Sequence, residues 1–362
     1  MKMNIPRILL LPCLFSMSLC LNALDRLGNE FKVFQFPADA IPRIDGDASD
    51  WSSVPESYVV GTNELWEDSG KYDEIQPDSL DIRVRVGWVK GMSRLYFLYE
   101  AYDDYWDFSL PGLKNDTFEI VVDGDLSGGP LIDKFRQNPA ALSQEDAYFV
   151  MHGKHAQNYH IFTPARDKSW TMCWGPAQWL KELPYANAAY AYDFQPGEAG
   201  HLTLEFWITL FDNASVDGPD ASEISHLVEN QLIGLSWAII DYDDVDSPRN
   251  NGFWNLSKSH TMYGQASELV AFRLMPLESV DQDAVKAHWS CKIVDRKRRL
   301  VSFSNESRGN IETWLWDFGD GTTSSEQHPV HTYQKGGHYV VVLTVKGPSG
   351  ESSYSRVWDV SL

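Results

Sequence analysis

Apolar and polar positions alternate with a period of two through much of the chain. Leu80, Ile82, Val84, Val86 and Trp88 fall on one face, with Asp81, Arg83 and Arg85 on the other, as in a half-buried strand. Leu95 to Tyr102 predicts a second strand, rich in aromatics, joined to the first through Lys90-Gly91-Met92-Ser93 as a hairpin. Phe118, Ile120 and Val122 alternate with Thr117, Glu119, Val121 and Asp123, which predicts a strand that buries the first set and turns Glu119 and Asp123 outward. The same period returns at Leu202, Leu204, Phe206, Ile208 and Leu210, at Leu235, Trp237 and Ile239, and at Tyr339, Val341, Leu343 and Val345. Residues 130 to 200 are less regular. A short helix near Pro139 to Asp146, a strand at Ala147 to Met151 and the Trp-rich piece Trp170 to Trp179 are predicted there, with loops rather than a core dominating. Strands separated by turn chemistry, with few helices, predict an all-β chain of two β-sandwich domains.

Length and composition fit that division. The 362 residues, with 14 Trp, can fill two cores. A formal charge of −21 repels phosphate backbones and anionic membranes, which disfavours nucleic acid as a partner and suits calcium or a neutral ligand, with plain solubility as the alternative reading of the charge. Lys2 and Arg7 precede the apolar run Ile8 to Leu21, and Ala23 offers a cleavage position. Residues 1–23 therefore read as a secretory signal peptide, with lipidation at Cys20 as the second choice because Leu19 stands where a small residue is expected. No later stretch is long and apolar enough to span a bilayer, so a secreted, periplasmic or cell-surface protein is expected. Cys173 and Cys291 remain after the signal, as a disulfide or as two buried thiols.

Candidate chemistry concentrates in acids and aromatics. In Asp123-Gly124-Asp125-Leu126-Ser127-Gly128, oxygen side chains alternate and a glycine follows, like the first half of a calcium loop. Position twelve is Lys134 rather than the glutamate of an EF-hand, and a capped hairpin turn is the alternative. Asp241, Asp243, Asp244 and Asp246 crowd like charges that a cation or solvent must screen, so Asp241 and Asp243 are the second candidate calcium site. His152, His155 and His160 can ligate a transition metal only if the segment turns irregularly, since an extended chain points His155 away. There is no G-x-S-x-G, no H-E-x-x-H and no phosphate loop.

Two resemblances sharpen the picture. Trp316-Asp317-Phe318-Gly319-Asp320-Gly321, His331-Thr332-Tyr333 and Gly337-His338-Tyr339 with the strand after it resemble the polycystic-kidney-disease (PKD) repeat. That implies an immunoglobulin-like sandwich over 295–362, after a linker at 276–294, acting as a spacer or protein-docking module. Read physically, Asp317 and Asp320 cap the amides of a turn. Residues 38–275 resemble a family nine carbohydrate-binding module, a sandwich of the DOMON-like, jelly-roll type. The resemblance rests on Ile44-Asp45-Gly46 with Trp51, on the Trp88 strand followed by Arg94 to Tyr99 and Asp103, on Asp116 to Asp123, and on Trp237 with Asn250-Asn251-Gly252-Phe253-Trp254. It implies a sugar end held between two tryptophans with carboxylate and amide partners: Glu119, Asn251 and Trp254 match, while Leu113 stands at the first tryptophan and Val150 near the arginine. Trp106 is the candidate replacement for the missing stacking face. The expected function is a secreted, non-catalytic carbohydrate-binding protein that assists polysaccharide recognition or breakdown, with a structural or adhesion protein as the alternative and a glycoside hydrolase behind both.

Overall fold

The computed structural model describes residues 30–72, 75–76, 78–108, 113–129, 152–244, 250–259, 262–278 and 284–360. The expected signal peptide with Cys20, the helix at 139–146, the strand at 147–151, Lys134, Val150 and Asp246 lie outside the described residues.

The chain is all-β. The front domain carries β1 (Phe31–Gln35), β2 (Val60–Gly61), β3 (Trp66–Glu67), β4 (Leu80–Trp88), β5 (Arg94–Asp103), β6 (Thr117–Asp123), β7 (Gln157–Phe162) and β8 (Thr171–Cys173). It continues with β9 (Ala186–Tyr192), β10 (Gly200–Thr209), β11 (Phe211–Asn213), β12 (Glu223–Ile224), β13 (Leu232–Asp241), β14 (Gly252–Asn255) and β15 (Val270–Leu274). One sheet runs β8-β7-β6-β13-β15-β1, and β14 and β3 extend from β13 beyond the main path. The other runs β1-β4-β5-β10-β9. β1 belongs to both: Phe31 to Val33 pair in parallel with β15, and Phe34 and Gln35 pair in parallel with β4.

The alternation read from sequence sets the inner faces. Val84, Val86 and Trp88, Phe97, Leu204 and Phe206, Phe118, Ile120 and Val122, and Leu235 and Trp237 are buried in one cluster. Tyr99 stacks on Phe118 at 4.5 Å across the two sheets, and Phe97 on Phe206 at 4.5 Å within one. Such pairs add specificity beyond the area they bury.

Two expectations are corrected. The stretch 157–192 is not mainly loop: β8 and β9 form the outer edges of the two sheets, β7 lies between β8 and β6, and Tyr159 and Ile161 sit in the core. β6 is buried at all seven positions. Its second face lies under Val121, Ala238, Met262, Ala266 and Leu269, so Glu119 does not stand on an open surface. Continuous burial on both faces is what a central strand needs, and residues far along the chain supply the cover.

The Ile44-Asp45-Gly46 turn has a structural role. The Glu205 carboxylate on β10 accepts from Gly46 N at 2.7 Å, Asp45 N at 3.2 Å and Trp51 Nε1 at 2.8 Å. Gly46 has φ +86, and a Cβ there would lie 3.0 Å from the Tyr190 carbonyl carbon and oxygen. Only glycine tolerates that conformation against a neighbouring backbone. Burial raises the Glu205 pKa, with the three donors opposing.

The second domain carries β16 (Trp289–Asp295), β17 (Leu300–Asn305), β18 (Thr313–Asp317), β19 (Thr323–Ser324), β20 (Val330–Thr332), β21 (His338–Gly347) and β22 (Gly350–Asp359). Its sheets run β16-β17-β20 and β19-β18-β21-β22. They close on a separate core of Trp289, Phe303, Trp316, Phe318, Tyr333, Val341, Leu343 and Val345, to which Val285 also belongs. In the Trp-Asp-Phe-Gly-Asp-Gly turn, Asp317 Oδ1 accepts from Gly319 N at 2.9 Å and Asp320 Oδ1 from Thr322 N at 3.1 Å. His331 Nε2 meets Asp320 Oδ2 at 2.8 Å while its ring stacks on Phe318 at 4.1 Å. Burial would raise the Asp320 carboxyl, but its bonds from Thr322 and His331 prevail and hold it low. Cys173 and Cys291 are free thiols in different domains. Among the described residues no helix is long and apolar enough to cross a membrane.

Candidate functional site

Three strand ends converge at one end of the front sandwich. β5 ends in Asp103 on one sheet; Asp116 precedes β6 and Asp241 ends β13 on the other. Oxygens of Asp103, Asp116 and Asp241 lie within 4.8 Å of one another, and so do those of Asp103, Asp104 and Asp243. Backbone amides hold part of the set in place. Asp116 accepts from Tyr242 N at 2.8 Å and from Asp107 N at 2.5 Å, and Asp103 Oδ1 accepts from Tyr105 N at 3.0 Å. Asn251 N donates to the Asp241 carbonyl at 2.7 Å, and its side-chain amide donates to Asp243 Oδ2 at 3.0 Å.

Burial dominates the electrostatics. It pushes Asp103 up to about 8, helped by the Asp243 and Asp104 charges, and pushes Asp241 up to about 9, helped by Asp103 and Asp243. Asp116 is raised well above the carboxylate range by burial and by the Asp103 and Asp241 charges, with the amides of Tyr242 and Asp107 opposing. Oδ1 of Asp241 and Oδ1 of Asp243 are buried with no hydrogen-bond partner.

Beside this cluster opens a cavity of about 90 Å³ lined by Tyr72, Gln76, Ser79, Asp241, Asp243 and Trp254. The Tyr72 and Trp254 rings stack at 6.1 Å and 23°. Tyr72 is 50% exposed and Trp254 buried. Pockets that enclose a drug-sized ligand run to roughly 300–1,000 Å³. This one suits a sugar edge or a chain end, or an ion with its waters.

Of the matched sugar residues, Glu119 stands apart from Asn251 and Trp254. Directly paired residues of antiparallel strands share a face. The row His160, Glu119, Ala238, Asn255 and Trp66 therefore lies on the outer side, and Ile161, Phe118, Ile239 and Trp254 on the inner side. Glu119 and Trp254 are on opposite faces, which corrects the expectation that they face each other. Asn158 Nδ2 donates to Glu119 Oε1 at 3.1 Å, and His160 Nδ1 meets Oε2 at 3.2 Å. His160 Nε2 in turn lies 3.2 Å from Thr117 Oγ1. This hydroxyl–imidazole–carboxylate chain has the order of a nucleophilic relay. Thr117, however, is 1% exposed and donates its hydroxyl to Asn115 O at 2.9 Å, so it has neither access nor a free proton to transfer.

Trp106 is corrected as well: it is buried against Phe194 at 4.8 Å with its Nε1 on Gly200 O at 3.0 Å, and so offers no stacking face. Asn251 stands beside the cavity through Asp243. In the Asp123 loop, Asp123 Oδ2 accepts from Gly128 N at 2.8 Å and Asp125 Oδ1 from Ser127 N at 3.0 Å, which is the geometry of a capped turn. Burial pushes Asp123 up to about 7, aided by its bond to Asp125. Among the described residues the metal-capable groups of three are the two aspartate sets; the Asp123 loop and the three histidines form none.

Asp103 and Asp116 are named by the sequence only as parts of the resemblance, and Asp104 and Tyr72 not at all, so none of the four is expected at the site. One signal is available: each of the three strands predicted there is flanked by an aspartate.

His152 supplies a pH expectation. Burial pushes it down to about 4, with Glu119 opposing and His155 reinforcing. A folded pKa below the unfolded value gives stability that is complete above about pH 6.5 and is lost as pH falls toward 4. Melting temperature measured between pH 7 and pH 4.5 should fall less in His152→Gln than in the wild type. Equal acid losses would remove His152 from the account.

Comparison with known proteins identifies the second domain. Residues 295–361 match the PKD domain family. The PKD domain is 50% identical over 53 residues to a stretch of collagenase ColQ1 of Bacillus cereus, covering 15% of this chain and 6% of that protein. It is 51% identical over 49 residues to the pre-pro-metalloprotease PrtV of Vibrio cholerae, covering 14% of this chain and 5% of that protein. The chain thus spans about a twentieth of the length of these relatives. The crystal structure of the PKD1 domain of PrtV is 34% identical, with 22% of this chain and 99% of that one covered and a TM-score of 0.20. A family nine carbohydrate-binding module from Caldicellulosiruptor kristjanssonii, solved with cellotriose, aligns with 69% of this chain and 96% of its own at 12% identity and a TM-score of 0.43.

Proposed function

We propose that the front sandwich binds carbohydrate without cleaving it, taking a glycan end or edge at the cavity between Tyr72, Trp254 and the carboxylates of Asp241 and Asp243. The observation that supports this reading is one cleft holding aromatic faces beside carboxylate, amide and hydroxyl groups. A pyranose has an apolar face for a ring and an edge of hydroxyls for polar partners. In this reading the PKD domain acts as spacer or docking module, and residues 1–23 direct export and are then removed, which N-terminal sequencing of the mature protein checks.

Glycan-array screening followed by titration calorimetry tests the site. Tyr72→Ala is the cleaner variant because Tyr72 is half-exposed, whereas Trp254 also fills core. Loss of one stacking face is expected to weaken sugar binding at least about tenfold, or about 1.4 kcal/mol. Unchanged affinity in Tyr72→Ala would move the site elsewhere, and release of reducing ends by the purified chain would make the protein an enzyme. One observation favours a second reading, adhesion through protein contacts: Leu315, Val340 and Val357 are exposed on the outer face of a PKD sheet.

A further inference from the structure

We infer that Asp103, Asp116 and Asp241, with Asp104 and Asp243 toward the cavity, bind one calcium-class divalent cation, and that this ion links the two sheets and completes the sugar cleft. The second part rests on the carbohydrate reading above; the first does not.

The ligand set is built for a hard cation. Calcium takes six to eight oxygens at 2.3–2.6 Å, so two oxygens on one ion lie at most about 5 Å apart. The carboxylate oxygens of Asp103, Asp116 and Asp241 meet that limit, all lying within 4.8 Å of one another. All three side chains are buried. The groups acting on them are other carboxylates and backbone amides. Collecting like charges in an apolar sandwich end is costly unless an opposite charge joins them.

An independent observation points into the cluster. Asp241 is only 7% exposed, and its Oδ1 has no hydrogen-bond partner. Nearly all buried polar atoms in folded proteins are bonded, so an orphaned carboxylate oxygen among other carboxylates marks a missing ligand. Asp243, half-buried, also has its Oδ1 without a donor, and its carboxyl meets that of Asp241, so the two share one gap. Both residues also line the cavity. The open coordination positions of the ion therefore face the cleft, where water or sugar hydroxyls complete the shell.

Position in the fold gives the ion its structural effect. Asp103 ends a strand of one sheet, while Asp116 and Asp241 flank paired strands of the other. An ion held by all three closes the sandwich at that end.

The test uses the full chain, stripped with EDTA and titrated with calcium chloride in a calorimeter, with melting curves recorded in parallel. The wild type should bind calcium and melt higher when loaded. Asp241→Asn and Asp103→Asn should each weaken calcium binding at least tenfold. They should also melt no lower than the wild type in EDTA, because each amide keeps the shape of the buried carboxyl it replaces and cannot take up a buried charge; this keeps a binding loss separable from misfolding. Asp123→Asn serves as the control and should bind as the wild type does. Absence of calcium binding, or a loss confined to Asp123→Asn, overturns the site. Terbium luminescence sensitised by the neighbouring Tyr72 and Trp254 gives a second readout and should vanish in Asp241→Asn. Sugar affinity is then compared in calcium and in EDTA. A fall of tenfold or more in EDTA supports the coupling, and equal affinity overturns the coupling alone. No sugar binding in either condition overturns the carbohydrate reading and the coupling together, with the calcium titration still deciding the cation site.

Discussion

Glu205→Ala is expected to lower the stability of the front sandwich by about 3 kcal/mol, because it orphans three donors at once. Gly46 N, Asp45 N and Trp51 Nε1 all point at this carboxylate. A buried donor left unsatisfied costs roughly 1–3 kcal/mol. The 3.2 Å bond to Asp45 N is the weakest of the three, and the turn relaxes toward water, so the sum stays below the upper limit. For a domain of this size that corresponds to a drop of roughly 6–12 °C in melting temperature. Glu205→Gln keeps the shape and one good acceptor and should cost about 1 kcal/mol. Calorimetric melting of the three proteins checks the order. If Ala and Gln prove equally mild, the turn is held by its own backbone and Trp51 by packing alone.

Trp316→Ala should act on the other domain and by another mechanism. The indole is fully buried against Trp289 at 5.9 Å, Phe303 at 5.5 Å and Phe318 at 6.4 Å, and its Nε1 donates to Glu326 O at 2.9 Å. Truncating a core tryptophan costs about 3–5 kcal/mol, since the cavity collapses only in part. In a domain this small each kcal/mol is worth roughly 4–8 °C, so the PKD transition should fall by about 15 °C or more, or disappear. The front-domain transition should stay in place, because the two hydrophobic cores share no residue. The ion pair between Arg308 and Asp39 at 2.6 Å joins the domains at a partly exposed position and contributes little. A scan in which both transitions move together would show that this junction couples the cores more strongly than its exposure suggests.

Strand existence was legible where one face is buried and the other wet. Leu80–Trp88 came out of the alternation with its observed bounds, and β5, β10 and β13 within two or three residues. The PKD strand shows Val341, Leu343 and Val345 fully buried, with Tyr339 packed against the core from a partly exposed position. β1, by contrast, is five residues long and is not among the strands that the alternation predicts, because Phe31 and Lys32 mask its period. β7 defeats the rule for another reason: all six of its residues are buried, polar ones included.

The candidate site was less legible because it depends on face parity between strands that are distant in sequence. Trp254 pairs with Ile239, which pairs with Phe118, and that chain of registers puts Trp254 on the inner side and Glu119 on the outer. A shift of one residue in β14 would have reversed it, and nothing local in Asn250 to Trp254 fixes that register. Asp241 and Asp243 stood out as a run of acids. Asp103 and Asp116 did not, because each is an ordinary acid at a strand end until the sheets bring the ends together.

The sharing of β1 between the two sheets sets an order of events. Its pairing with β15 joins segments as remote as Glu30 and Arg273, 243 residues apart. Contacts this distant carry a loop-closure cost that must be met before they stabilise anything, and they form late and slowly. During synthesis or translocation from the N-terminus, β1 has its β4 partner early but waits for β15 until nearly the whole front domain has emerged. Through that interval the edge groups of β1 and β13 that β15 will occupy stay unpaired, open to the wrong strand. Completion of this sandwich is therefore governed by its last strand, and the period of greatest exposure lies just before that strand arrives.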